Sequence, residues 1–242
     1  MTVTWEELGW EQVATGVFRR RLPGWDCTVG LVVGEGTALV VDAGSSLAEG
    51  GRLRMRAEAL TGHRVTHLAL THPHFDHVFG AAAFAGAEVY GAVGIESAFA
   101  PHAREELRAD AVRNGLDARL ADEAVDTLTP PRHHVSGEWT LDLGGDRQVL
   151  LANAGPGHTA HDLVVLVPGT PEVVFCGDLV EESGEPQAGP DAVPSQWPAA
   201  LDRLLALGGE DALYVPGHGA VVDAAFVRRQ RDALATRFGV SQ

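Results

Sequence analysis

The chain has 242 residues, 45% of them hydrophobic and 21% charged, which is enough to bury one sizeable core. Its 33 acidic against 18 basic residues leave a net charge of −15, which repels a phosphate backbone and excludes sustained nucleic-acid binding. Cys27 and Cys176 cannot build a disulfide framework, no stretch approaches the ~20 apolar residues of a membrane span, and the N-terminal MTVTWEELGWEQ is acidic where a secretion leader is basic; one cytoplasmic domain over 1–242 is expected.

Arg19, Arg20 and Arg21 form the densest basic run and read as a solvated strand end. TALVVDAG reads as a strand closing at Asp42, and 46–61 as a helix with Leu47, Leu53, Ala57 and Leu60 near one face. THLALTHPH is the next strand, followed by a helix over 78–85, the strand AEVYGAVG, and helices over 95–114 and 118–128. His133 and His134 fall in a PPRHHVSGEW loop, where solvation is the plain reading and a substrate contact the alternative. WTLDLGGDRQVLLANA predicts two strands turning at Gly144 and Gly145. DLVVLVPG, EVVFCGD and ALYVPGHG complete the strands. Between the last two, 181–194 is too rich in Gly, Pro and acids for a regular element, and Ser195 is a candidate cap for a helix carrying Trp197, Leu201, Leu204, Leu205 and Leu207. A last helix spans 224–238. The pattern is α/β with a mixed sheet.

The chemistry concentrates in THPHFDHVFG, where His72, His74, Asp76 and His77 occupy six positions. Pro73 keeps His72 extended, so His72 and His74 face one way and can meet one metal, while Asp76 and His77 follow where the chain turns and can serve a second. His158, Asp178 and His218 each stand at the end of a predicted strand among glycines, and in layered α/β folds strand ends converge on one edge. Imidazole and carboxylate without thiolate leave zinc, iron and manganese all open.

These motifs resemble the metallo-β-lactamase superfamily over nearly the whole chain: His-x-His-x-Asp-His at His72, His74, Asp76 and His77, then His158 in GPGHT, Asp178 in CGD and His218 in PGHG. The resemblance implies a four-layer αβ/βα sandwich with mixed sheets and two divalent metal ions, zinc being expected and iron or manganese fitting. It assigns His72, His74 and His158 to one metal, Asp76, His77 and His218 to the other, Asp178 to both, and Asp42 to their support. The implied activity is hydrolysis of a small ester, lactone or thioester by water activated at the metal pair, with Asp76 moving a proton. A mononuclear iron dioxygenase and a non-antibiotic β-lactamase-like hydrolase are the alternatives.

Departures from the family's branches narrow the choice. Only 24 residues follow His218, where glutathione-thioester hydrolases append a helical domain. True β-lactamases of this fold are mostly secreted and lack an aspartate bridge. Persulfide dioxygenases carry Gly-Arg-Thr-Asp-Phe after their aspartate, where DLVEESGEP stands here, and the family's nucleases need basic surface. Lactonases remain compatible, although neither Tyr90 nor Tyr214 can be placed beside Asp178. A small-molecule substrate, with no nucleic-acid or membrane partner, follows. His161 and Asp162 inherit no role, and His63, His67 and His102 have no partner pattern. Cys176 reads as a small buried side chain. Phe75, Phe79 and Trp197 are core residues or pocket walls, and 181–194, starting beside the metals, is expected to form a substrate wall together with Trp197.

Overall fold

A computed structural model describes residues 9–240; 1–8, most of the acidic stretch weighed above as a leader, lie outside the described residues. Seven strands, β1 (Glu11–Ala14), β2 (Val17–Arg21), β3 (Thr28–Val33), β4 (Ala38–Val41), β5 (His67–Ala69), β6 (Glu88–Ala92) and β7 (His133–Val135), lie in that order in one sheet. Pairing is antiparallel as far as β4 and parallel from β4 to β7. The second sheet runs β12-β11-β10-β9-β8, from β8 (Glu138–Asp142), β9 (Gln148–Asn153), β10 (Leu163–Val167), β11 (Val173–Glu181) and β12 (Leu213–His218). Only β11 and β12 are parallel there.

Alternation along the strands builds the layers. Leu39 and Val41 of β4 point between the sheets, where they meet Val165 of β10, Phe175 of β11 and Val215 of β12. Val40 points the other way, into a core shared with α1 (Leu47–Thr61), α2 (Phe75–Val78), α3 (Pro101–Arg113) and α4 (Ala118–Thr127). Val164 and Val174 face α5 (Trp197–Gly208) and α6 (Ala224–Phe238) on the outside of the second sheet. Three apolar layers thus separate four structural ones, the expected αβ/βα sandwich. Among the described residues no helix is long and apolar enough to cross a membrane.

Several elements differ from the expected ones for local reasons. The helix read over 78–85 is instead α2 followed by a 3-10 turn at Ala81–Phe84, because the Gly80 N–H leaves the helical ladder and donates to Gly44 O at 3.0 Å. The helix read over 95–114 is divided: a 3-10 turn at Ile95–Phe99 precedes α3, which Pro101 opens after an extended Ala100. Helix α5 starts after Gln196, with no side-chain cap from Ser195. His133 and His134 form β7 rather than a loop, with His133 stacked on Tyr90 and donating to Glu88 at 2.6 Å. Arg19 is buried, not solvated: it donates to Glu11 at 2.8 Å and to Gly219 O at 3.0 Å, tying β2 to the turn after β12.

Candidate metal centre

The seven residues singled out by the motifs meet at one end of the sandwich. His72 follows β5, α2 carries Asp76 and His77 with His74 at its N-cap, His158 follows β9, Asp178 lies in β11 and His218 closes β12. Gly177, at φ +53°, makes a bulge in β11 that turns Asp178 inward, and the register to β12 shifts on both sides of it. His72, His74, His158 and Asp178 offer donor atoms within 4.8 Å of one another, and so do His77, Asp178 and His218. Asp178 belongs to both groups. Its carboxylate lies 3.5 Å from His72 Nε2, 3.3 Å from His77 Nε2, 3.5 Å from His158 Nε2 and 3.2 Å from His218 Nε2. Asp76 approaches His77 Nε2 at 3.7 Å and His218 Nε2 at 3.5 Å.

The outer nitrogens fix what the inner ones can do. His77 Nδ1–H donates to Asp42 at 2.8 Å, His218 Nδ1–H to Trp25 O at 2.8 Å, and His158 Nδ1–H to Gln187 O at 3.0 Å. His74 Nε2–H donates to Asp191 at 2.9 Å. Thr71 gives its hydroxyl proton to Asp42 at 2.8 Å, so its oxygen accepts from His72 Nδ1–H at 3.0 Å. Each imidazole, in its neutral form, therefore turns a bare lone pair inward. Two of these, His74 Nδ1 and His158 Nε2, face each other at 2.9 Å, an arrangement that repels unless a cation or proton lies between them. His72 Nε2 and Asp178 Oδ1 are buried with no hydrogen-bond partner. Five converging lone pairs and two carboxylates, with orphaned buried donor atoms among them, fit divalent metal ions.

Without a metal the local field divides the set, favouring the charged form of His74, His77 and His218 and the neutral form of His72 and His158. Burial pushes His72 down and His158 down to about 3, keeping both neutral and able to ligate. Burial alone would raise Asp178, but the charges of His77 and His218 hold it well below the usual carboxylate range. His218 is lowered by burial yet carried up to about 9 by the charge and hydrogen bond of Asp178. Asp42, at φ +64°, also accepts the Thr71 N–H at 2.8 Å and so supports His72 and His77 together.

Above the donors opens a cavity of about 800 Å³. Phe75, His102 and His161 line it, as do Gly184, Gln187 and Asp191 from the loop after β11, so that loop is a wall as expected. Trp197 is not: fully buried, it donates Nε1–H to Leu179 O at 3.0 Å and backs His158 from the core, while Phe79 is buried too. The aromatic wall is Trp25, edge-on to Phe75 at 5.2 Å. Trp25, Gln187 and Asp191 carry no motif that marks them in the sequence. Asp162 acquires a structural role, its buried carboxylate accepting Thr159 N–H at 3.1 Å and Thr159 O–H at 2.7 Å to shape the turn beside His158. Cys27 Sγ sits 3.8 Å from both nitrogens of His77, donates to Asp76 O at 3.3 Å, and forms with Asp76 and His77 a third group of donor atoms within 4.8 Å of one another; burial pushes its thiol up to about 12, which keeps it protonated without a metal. Cys176 is buried as expected.

Comparison with known proteins gives the same answer. The model of the metallo-beta-lactamase superfamily matches residues 22–218. The chain belongs to the metallo-β-lactamase superfamily. It is similar to metallo-beta-lactamase type 2 of Bacillus cereus, 26% identical over 173 residues, and to hydroxyacylglutathione hydrolase of Cupriavidus metallidurans, 30% identical over 182 residues. These matches cover 71% and 74% of this chain but only 58% of each relative. In fold it is similar to the metallo-beta-lactamase FIM-1 from Pseudomonas aeruginosa in its mono-zinc form, with a TM-score of 0.70, 20% identity and 95% of each chain covered.

Proposed function

We propose that this protein is a binuclear metallo-hydrolase that cleaves a small ester, lactone or thioester with water. The observation that carries the reading is the pair of donor groups sharing Asp178 at the floor of one cavity. His72, His74 and His158 would hold one ion, Asp76, His77 and His218 the other, with Asp178 between them. Zinc suits the all-imidazole and carboxylate set, and a superfamily member of the same fold is described in a mono-zinc form. Bound divalent ions would lower the pKa of a water toward neutrality and polarise the carbonyl to be attacked. Asp76, at the boundary of donors and cavity, would accept the proton that water gives up and return it to the leaving oxygen or sulfur. Trp25 and Phe75 would pack the apolar part of the substrate.

Loading the metal-free protein with zinc should bring its content to two ions per chain, measured by elemental analysis, with hydrolysis appearing in parallel. One iron per chain with oxygen consumption and no hydrolysis would favour the oxidoreductase reading instead.

The cavity wall away from the metal donors is acidic. Beyond the donors the lining includes Glu106, Asp110, Glu181 and Asp191; its one arginine among the described residues, Arg113, is ion-paired with Asp110 at 2.9 Å. A carboxylate held against this wall, away from the positive charge that two divalent ions would bring, would meet like charge. Between a neutral ester and its carboxylate-bearing analogue of the same size, kcat/KM should favour the neutral one by about 10-fold or more, a difference of roughly 1.4 kcal/mol. Equal values for the pair would remove this criterion.

A further inference from the structure

The loop that leaves β11 meets the outer nitrogens of the donor imidazoles at two points. Its Asp191 carboxylate accepts His74 Nε2–H at 2.9 Å, and its Gln187 carbonyl accepts His158 Nδ1–H at 3.0 Å. The same two imidazoles face each other through their other nitrogens at 2.9 Å. The remaining three histidines are held elsewhere: His72 by Thr71, His77 by Asp42 and His218 by Trp25 O. Orientation of the two halves is thus divided. The half made by His74 and His158 depends on a loop that is largely without regular structure, and the half made by His77 and His218 depends on the end of β4 and the turn before β3.

At its start the loop is pinned by the Glu182 N–H, which donates to His218 O at 2.9 Å, and by the Ala220 N–H, which donates to the Glu182 carboxylate at 2.7 Å; beyond Glu182 it is lightly fastened. The Gln187 N–H donates to Glu181 at 3.2 Å, Arg237 donates to Pro186 O at 2.8 Å, and the Val193 N–H donates to Gly157 O at 2.9 Å. Two contacts to the imidazoles are therefore a substantial part of what holds it against the body. Asp191 and Gln187 also line the cavity, so whatever holds the loop shapes the substrate wall.

We propose that this loop and the His72–His74–His158 half of the centre are one linked unit, in which Asp191 and Gln187 are positioning residues for the metal-facing imidazoles and metal binding there in turn orders the substrate wall. The inference rests on the metal-centre reading above. A hydrogen-bond acceptor on the outer nitrogen fixes the tautomer and ring orientation of a ligating histidine and raises its basicity. Coupling of this kind is reciprocal: if the seated loop strengthens metal binding by some factor, bound metal stabilises the seated loop by the same factor. The consequence is particular to one half, because the acceptors of the other half lie outside the loop.

The test compares the full-length protein with Asp191→Ala, Asp191→Asn and, as a control for lost charge in the same loop, Glu185→Gln. Zinc affinity is measured for each binding step by competition with a chelator, and backbone hydrogen exchange across 182–194 is followed with and without zinc. In the wild type, zinc should slow exchange across the loop. In Asp191→Ala one of the two zinc steps should weaken by about 10–100-fold while the other holds, and the zinc-dependent protection should fall with it. Asp191→Asn, whose amide oxygen still accepts, should recover part of both, and Glu185→Gln should match the wild type. Two unchanged zinc steps in Asp191→Ala, or a wild-type loop whose exchange zinc does not alter, would overturn the linkage while leaving the metal centre standing. Failure of the wild type to take up zinc would overturn the metal-centre reading and the linkage with it.

Discussion

Asp178→Asn should abolish most turnover and leave close to one tightly held metal ion per chain. The carboxylate stands within 3.5 Å of four imidazole nitrogens, 5% exposed, and is the one donor common to both groups. The amide keeps the volume but removes the charge that offsets two divalent ions, and one end of it presents N–H groups to lone pairs that are themselves acceptors. Removing one partner from a buried charged pair costs about 3–5 kcal/mol, which at a metal site falls on metal affinity. The loss should therefore exceed the roughly 10–100-fold typical of a missing outer-sphere partner, the range expected for Asp42→Asn. Stepwise zinc titration with turnover measured at each point separates the outcomes. Two equally tight sites and near wild-type rates in the variant would remove Asp178 from its bridging place.

Gly217→Ala should damage the site as severely without replacing a donor. A Cβ at position 217 would collide with Asp178 Oδ1 and stand 2.9 Å from the Gly177 carbonyl carbon, so either β12 or the bulge that aims Asp178 must move. Overpacking of this sort costs about 1–3 kcal/mol, and a shift of ~1 Å in a reacting group costs on the order of 100-fold in rate. In a chain of this size about 1 kcal/mol corresponds to roughly 2–4 °C in Tm. The variant should melt several degrees lower and lose at least about 100-fold in kcat/KM. Gly51→Ala is the control: it lies inside α1 with no heavy atom near the added Cβ, and should stabilise by about 1 kcal/mol with rates unchanged. A Gly217→Ala variant with the wild-type Tm and rate would mean that β12 gives way at no cost.

How much of this was legible beforehand follows from how local each signal is. The donors are legible because ligand residues crowd into glycine-bounded strand ends, and the spacing from His72 to His77 itself divides them between two faces. Strands β4, β10 and β11 announce themselves by runs of Val, Leu and other apolar residues, since they are buried on both faces between helices and the opposite sheet. The edge strand β1 and the arginine-rich β2 have no such run, and β7 is three residues long, so pairing rather than composition makes them strands. Arg19 shows the same limit: its sequence neighbours suggest solvent, and only the turn after β12, 200 positions away, buries it.

What only the tertiary structure decided is which groups hold the donors. Asp191 lies 117 positions from His74, Trp25 lies 193 from His218, and two of the acceptors are backbone carbonyls, which every residue possesses. Nor does an indole reveal in sequence whether it will face a cavity: Trp197, at the start of α5, is turned into the core beneath the second sheet, while Trp25, in the turn before β3, meets Phe75 at the wall. Ligand type is a property of a residue and its near neighbours, so the sequence determines it. The direction of a ring and the acceptor behind it are set by segments that meet only when the two sheets pack, and that is where the geometry of this centre is decided.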